Sequence, residues 1–326
     1  MVTRRQTLIL AGSVAASALL PKIATAQTDY PEKIIELIVP FAPGGGLDLF
    51  GRTVARVLND ENIVPQRIQV TNLPGAGGAL GMAEMVQRDD DAYSLCALAL
   101  HAHLTPLTQG TQHSYKDMTC IAKLYSEYNL IVVRTESPIQ SLKEVGDALA
   151  ADVTKLSFGG ATIGNTDHIT ISRLAQAVGA DPTKLAYVAY SGGESNAAIL
   201  GGHVDVGLGG PDMMDLVRGG KMRVLGVTSP ERLPGPLADV PTFREQGYDI
   251  VLPSWRGLFG PPNMPAEVIS YWHDALGKMV ATDAWKAELE KNLWYDTFEV
   301  GDAFRASLDV EHEVLRKVLQ DVGLIQ

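Results

Sequence analysis

From Tyr30 onward the chain repeats one pattern: a short continuous apolar run, a glycine-rich turn, then apolar residues at helical spacing. The run "IIELIVPF" passes through "APGGGLD" into Leu47, Phe50, Val54 and Val57. An apolar run without alternation suits a strand covered on both faces, and the spacing that follows suits a helix with one buried face. "RIQVTN" then enters "LPGAGGALG" and a helix through Met82 to Gln87, after which "YSLCALAL" is another buried strand. Strands joined in this way by helices pair in parallel through right-handed crossovers.

A second series begins at "LIVVR" (130–134) and continues through a helix over 141–150 with Ser141 as its cap. "KLSFGG", "LAYVAY", "VDVGLGG" and "MRVLGVTS" are further strands, the first three followed by glycine-rich or polar turns and short helices. After the proline-rich segment 229–241, "SWRGLFGPP" precedes helices near 266–281, 284–291 and 302–321. The last carries an apolar stripe of Phe304, Leu308, Val314, Leu315, Val318 and Leu319. With 326 residues and 46% hydrophobic content the chain can fill two cores. The expectation is α/β with two lobes, each a mainly parallel sheet flanked by helices. Residues 27–118 with 253–326 form the first lobe, and 119–252 the second.

Residues 1–26 stand apart. Arg4 and Arg5 precede an apolar run from Leu8 to Leu20, and Ala24-Thr25-Ala26 supplies a small-x-small cleavage sequence before Gln27. This is an export signal, through either the twin-arginine or the general secretory route. Its apolar run is shorter than the roughly 20 residues of a membrane span. Its removal takes the formal charge from −11 to −14. So acidic a chain is neither a general nucleic-acid binder nor a ligand of anionic membranes. Cys96 and Cys120 could form one disulfide in an oxidising compartment, but both lie in apolar stretches where free cysteine is an ordinary small core residue, and the buried, unpaired reading is preferred. Neither has the spacing of a metal-binding pair.

The glycine turns carry the functional argument. A turn that leaves a strand and opens a helix presents backbone N–H groups with no partner inside the helix, at the positive end of its dipole. Glycine lets a ligand approach that backbone closely, which makes an anion site suited to carboxylate or phosphate. Four turns have this form: "APGGGLD", "LPGAGGALG", "GGATIGNTDH" and "YSGGESN". None contains the lysine of a nucleotide phosphate loop, and the dinucleotide fingerprint fails at Leu49 and at Leu80, where its third glycine belongs. No Gly-x-Ser-x-Gly elbow and no His-Glu-x-x-His helix exists; His101 and His103 form only an i, i+2 pair. His168 either donates to a bound carboxylate or caps and packs. Asp48, which would repel an anion, is read as accepting from the turn's N–H groups and stiffening it; a direct contact with a ligand hydroxyl or ammonium is the secondary reading.

Taken in order, "YPEKIIELIVPFAPGGGLDLFGRTVARVL", "NLPGAGGALGMAEMV", "GGATIGNTDHI", "GGHVDVGL", "GKMRVLGVTSPERLPGPLADVPTFREQG" and "SWRGLFGPP" resemble the extracytoplasmic substrate-binding proteins of tripartite tricarboxylate transporters, the Bug family. The resemblance spans residues 30–326, and "GNTDH", "VTSPERLP" and "SWRG" are closest to its tricarboxylate-binding branch. It implies a monomeric, two-lobed periplasmic protein of the type II, Venus-flytrap kind. Such a protein binds a di- or tricarboxylate between its lobes and delivers it to integral-membrane permease subunits, one large and one small. It implies neither an enzyme nor a cofactor. Carried over by residue, the first gripping loop is Phe41, Ala42, Pro43, Gly44, Gly45, Gly46 and Asp48. The second is Gly160, Ala161, Thr162, Asn165, Thr166 and His168. The turns at Ser191, Gly192, Gly193 and Glu194 and at Gly209, Gly210 and Asp212 line the distal side. This chain has His101, Ala102 and His103 where the family commonly has small polar residues, a departure that bears on ligand choice.

A multiply charged ligand also calls for a cation. Arg256 in "SWRG" is the first candidate and Arg173 the second, while the plainer reading of Arg256 is a structural salt bridge beside Trp255. Two other functions keep the fold: reporting the ligand to a membrane sensor, and an exported α/β enzyme.

Overall fold

The computed structural model describes residues 30–190 and 194–326; the export signal at 1–26 and the turn at Ser191, Gly192 and Gly193 lie outside the described residues. Along the chain, β1 (Ile35–Val39), α1 (Gly46–Asp60), β2 (Ile68–Asn72), α2 (Ala79–Gln87), β3 (Ser94–Ala99), α3 (His101–Gln109) and β4 (Thr119–Tyr128) come first. Next are β5 (Leu130–Arg134), α4 (Leu142–Ala151), β6 (Ser157–Gly160), α5 (Thr166–Ala177), β7 (Ala186–Ala189), α6 (Glu194–Leu200), β8 (Val206–Gly209), α7 (Met214–Arg218) and β9 (Met222–Val227). The chain closes with β10 (Pro253–Gly260), α8 (Ala266–Ala281), α9 (Asp283–Asn292), β11 (Tyr295–Val300) and α10 (Gly301–Asp321).

These strands form two sheets with the orders β11-β4-β10-β3-β1-β2 and β7-β6-β8-β5-β9. The two-sheet α/β architecture agrees with the sequence, and two details differ. First, both sheets are mixed. β1 pairs in parallel with β2 and β3, but β10 runs antiparallel between β3 and β4, and β5 runs antiparallel to β8 and β9. Second, β4 was expected with the second lobe but is hydrogen-bonded to β10 and β11 in the first sheet. The chain therefore changes sheet at Asn129, not at 118/119.

At that crossing the backbone is stitched together. Asn129 N–H donates to Thr228 Oγ1 (2.9 Å), and Thr228 N–H donates to Asn129 O (3.0 Å). Leu252 N–H, just before β10, donates to Thr228 O (3.2 Å). Both connections between the sheets thus run side by side.

The first core gathers β1, α1, β10 and α8 around Phe50, Tyr125, Trp272 and Trp285. The second sheet encloses Ile131, Phe158, Leu174 and Phe243. α10 lays Leu315 and Leu319 against Ile169 of α5, so the closing helix touches both lobes. Its stripe is narrower than expected: Val314 is 50% exposed, because the buried row runs through Phe304, Leu308, Leu315 and Leu319. Cys96 and Cys120 are both free and buried. They oppose Phe259 from either side of β10, which separates them by a full strand. Among the described residues no helix is long and apolar enough to cross a membrane.

Candidate functional site

Two of the glycine turns prove to be built alike. The first has Gly44 at φ +85°, Gly45 as N-cap and Gly46 opening α1; the second has Gly164 at φ +85°, Asn165 as N-cap and Thr166 opening α5. A φ in that region is strained for residues with a side chain, so glycine at these two positions sets how the chain enters each helix. The N–H of each such glycine is then taken up by the side chain four residues on. Gly44 N–H donates to Asp48 Oδ2 (2.9 Å), and Gly164 N–H to His168 Nδ1 (3.4 Å).

Asp48 is therefore the loop brace the sequence suggested. It is 4% exposed, and Arg52 Nε (2.9 Å) and Asn72 Nδ2 (2.8 Å) also donate to it. Burial by itself would raise its pKa, but the hydrogen bonds from Arg52, Gly44 and Asn72 prevail and hold it below the usual value. His168 plays the matching part in the second turn. Of its two readings, donor to a ligand or capping and packing residue, the second matches its surroundings: it accepts through Nδ1, lies buried against the edge of Tyr187 with ring centroids 4.7 Å apart, and has its pKa lowered by burial. The turn needs its lone pair.

A further brace had no sequence signal. Asp167 takes Ala161 N–H on Oδ2 (2.8 Å) and Asn129 Nδ2 on Oδ1 (2.7 Å), much as Asp48 takes Gly44 N–H and Asn72. In each lobe an asparagine from beside a strand end thus holds an aspartate beneath the turn. Asn72 and Asn129 lie far in sequence from the turns they support, which is why motif reading passed over both.

The helix amino ends differ in capping. Asn165 Oδ1 accepts from the N–H groups of Asp167 (3.1 Å) and His168 (3.2 Å), whereas Gly45 offers α1 no side-chain cap. The first amides of α1 are thus free to meet an anion.

Both helix starts open onto one cleft with two compartments. The larger, ≈ 500 Å³, and the smaller, ≈ 390 Å³, share Gly46, Thr166, Ser254 and Arg256 in their walls. Of the residues named from sequence, Phe41, Gly45, Gly46, His101, Ala161, Thr162, Asn165, Thr166, Gly209, Gly210 and Arg256 line this cleft. Asp48, Gly160 and His168 are in neither wall and act from behind it, as hydrogen bonding and packing dictate; Ala42 and Gly44 are exposed on the loop itself. Gly160 leaves room for Asp167, whose Cβ lies 2.8 Å from where a Gly160 Cβ would stand. For Asp212, only the backbone, in the turn after β8, is described.

Arg256 makes the structural salt bridge and also stands in the cleft wall. Its guanidinium is held by Glu127 Oε2 (2.9 Å from Nη2) and Ser254 Oγ (2.9 Å from Nη1), yet it remains in the wall of both compartments. Gly46 lies against it: a Cβ there would come 3.8 Å from Arg256 Nη2. Arg173 is elsewhere, donating to the carbonyls of Asp249 and Val251 beside α10. His101 turns part of its ring to the smaller compartment and packs edge-on against Phe41 (4.8 Å). Its Nε2 is shielded from water, and burial, followed by Arg256 and His103, pushes its pKa down to about 3, so the imidazole is neutral. His103 is fully buried away from the cleft, 3.4 Å from His312 Nδ1. Among the described residues no group of three or more potential metal ligands occurs.

Residues 52–301 match the family model described as "Tripartite tricarboxylate transporter family receptor". A Cupriavidus necator protein described as "UPF0065 protein in gbd 5'region" is 32% identical over 294 residues, 88% of each chain. The crystal structure of a TctC solute binding protein from Polaromonas superposes with TM-score 0.76 at 27% identity, covering 89% of this chain and 99% of that one. An R. palustris protein solved with adipate shares the fold, with TM-score 0.79 at 21% identity and coverage of 90% and 99%. With its paired turns opening on a shared cleft, the chain belongs to the tripartite tricarboxylate transporter receptor family and is a solute-binding protein rather than an enzyme.

Proposed function

We propose that this chain, exported through residues 1–26 and acting as a monomer in the periplasm, captures a small di- or tricarboxylate in its cleft. It then delivers the ligand to a membrane permease of one large and one small subunit. One observation carries the reading: the amino ends of α1 and α5, from two different lobes, open onto the same cleft beside Arg256. One carboxylate held there meets the backbone amides at Gly46 and the dipole of each helix. In the larger compartment the cations available to a second carboxylate are Arg218 and Lys291, each 3.5 Å from a carboxylate on its own helix (Asp215 and Glu288), in a wall that also carries Glu127 and Asp167. The formal charge of −14 after residues 1–26 are removed makes such local donors necessary, since the protein as a whole repels anions within a screening length of about 8 Å. The R. palustris protein bound to adipate is an instance of this fold holding a dicarboxylate.

Calorimetric titration with succinate, citrate and acetate, alongside uncharged solutes such as glucose, tests the ligand class. Saturable binding of at least one carboxylate is expected. Gly46→Val should abolish it with the fold retained, because Gly46 has no positive φ and a Cβ there meets only Arg256 Nη2. Binding of glucose alone, or undiminished carboxylate binding by Gly46→Val, would defeat the reading. Delivery is tested by uptake of the same acid into cells that carry or lack the permease subunits.

A further inference from the structure

The smaller compartment does not have the chemistry of the larger one. Phe41, Leu47, Leu100, Leu104 and Ile163 form much of its wall, and among the described residues its one charged side chain is Arg256. That charge already faces Glu127 at 2.9 Å. The remaining ionisable wall residue, His101, is held neutral by burial. A second carboxylate pushed into this space would lose its hydration and find no counter-ion, a heavy penalty for a buried charge. A ring or an alkyl chain would instead gain by leaving water. Ile163 is 61% exposed at this wall and is contiguous there with Phe41, Leu47, Leu100 and Leu104. At ≈ 390 Å³ the compartment is of ligand size, and it shares the anion-holding wall of Gly46, Thr166 and Arg256.

We propose that the clamp serves a second ligand class, monocarboxylates with an apolar ring or chain, whose carboxylate sits at Gly46, Thr166 and Arg256 while the body fills the compartment walled by Leu104 and Ile163. The inference rests on the carboxylate reading of the clamp given above. Because both classes use the same amides, an apolar acid and a dicarboxylate exclude each other.

The test is calorimetric titration of the full mature chain with benzoate and cyclohexanecarboxylate as probes, acetate as the control, and succinate and citrate as the polar class. The apolar acids should bind about tenfold or more tighter than acetate, since burying a ring outweighs a methyl group by that much or more. Whichever polar acid binds should displace them competitively. Ile163→Lys, at an exposed position, should weaken benzoate about tenfold and shift the preference toward succinate. Thr108→Trp, which fills the same compartment from the exposed end of α3, should weaken benzoate relative to acetate. Three results overturn the inference and leave the carboxylate reading standing: succinate or citrate binding while benzoate binds no tighter than acetate; benzoate binding without competition; or benzoate binding unaffected by both variants. If no carboxylate binds at all, both readings fall.

Discussion

Asparagine in place of Asp48 keeps the side chain's shape and removes its charge, which isolates what the brace contributes. Asp48 accepts from Gly44 N–H, Arg52 Nε and Asn72 Nδ2, all within 2.9 Å, at 4% exposure. The amide keeps one acceptor oxygen, so either Gly44 or Asn72 must face an NH2 group instead. Losing one hydrogen bond to a charged acceptor costs about 1.5–3 kcal/mol. The Arg52 pair adds at most about 1 kcal/mol, because its arginine is 52% exposed. Asp48→Asn should therefore destabilise the protein by about 2–3 kcal/mol, lowering the melting temperature by about 3–5 °C.

The pH dependence provides the check. The folded-state pKa of Asp48 is depressed, so its stabilisation is present above the ordinary carboxylate value near 4 and is lost as the pH falls through the lower folded value. Urea unfolding of wild type and variant at pH 7, 5, 4 and 3 should show the full difference at pH 7 and a shrinking one below about pH 4. A difference under about 0.5 kcal/mol at pH 7, or one that stays constant down to pH 3, would refute the brace.

Gly78 sits at φ +94° with His101 Cδ2 only 2.6 Å from where its Cβ would stand, so Gly78→Ala should cost about 1–3 kcal/mol in urea unfolding; a neutral substitution would contradict that packing. Burial pushes the Cys96 thiol up to about 12 and the Cys120 thiol up to about 11. Neither should react with a disulfide reagent at about pH 8 until denaturant is added, when both should, and a melting temperature sensitive to reductant would count against free thiols. Since His101 is pushed down to about 3, affinity for an acid already fully ionised in that range, acetate or benzoate, should be flat between about pH 5.5 and 8. A midpoint near 6.5 that vanishes in His101→Phe would show an imidazolium at work instead.

The strands and helices of the first lobe were legible because each signal is local. β1, for example, is apolar but for Glu36, since helices cover both faces, and α1 shows its buried row of Leu47, Phe50, Val54 and Val57. Sheet membership was not local. "TCIAKLYSEY" has no feature that names its partner, and β4 finds β10 more than a hundred residues later in an antiparallel pairing. At the site, glycine turns announce themselves by composition, and Arg256 could be singled out as a lone cation beside a tryptophan. Asn72, Asn129 and Asp167 act through geometry brought together only by folding, and Glu127 reaches Arg256 from the neighbouring strand. The chemistry of His168 could not be read from its place in "GNTDH", since an imidazole at a helix start serves equally as donor or acceptor until the turn is built.

Asn129 gives the site a mechanical side. Its backbone exchanges hydrogen bonds with Thr228 where the two connections between the sheets lie together, and its side chain holds Asp167 under the second turn. Two strands fastened edge to edge act as a two-ply strap, which bends across its width far more easily than it twists. A swing of one lobe against the other would have to flex this strap and shift α10 over α5, since both join the lobes. The second turn, tied to the strap through Asp167 and Asn129, would stay with it, while walls farther from the strap would take up the displacement.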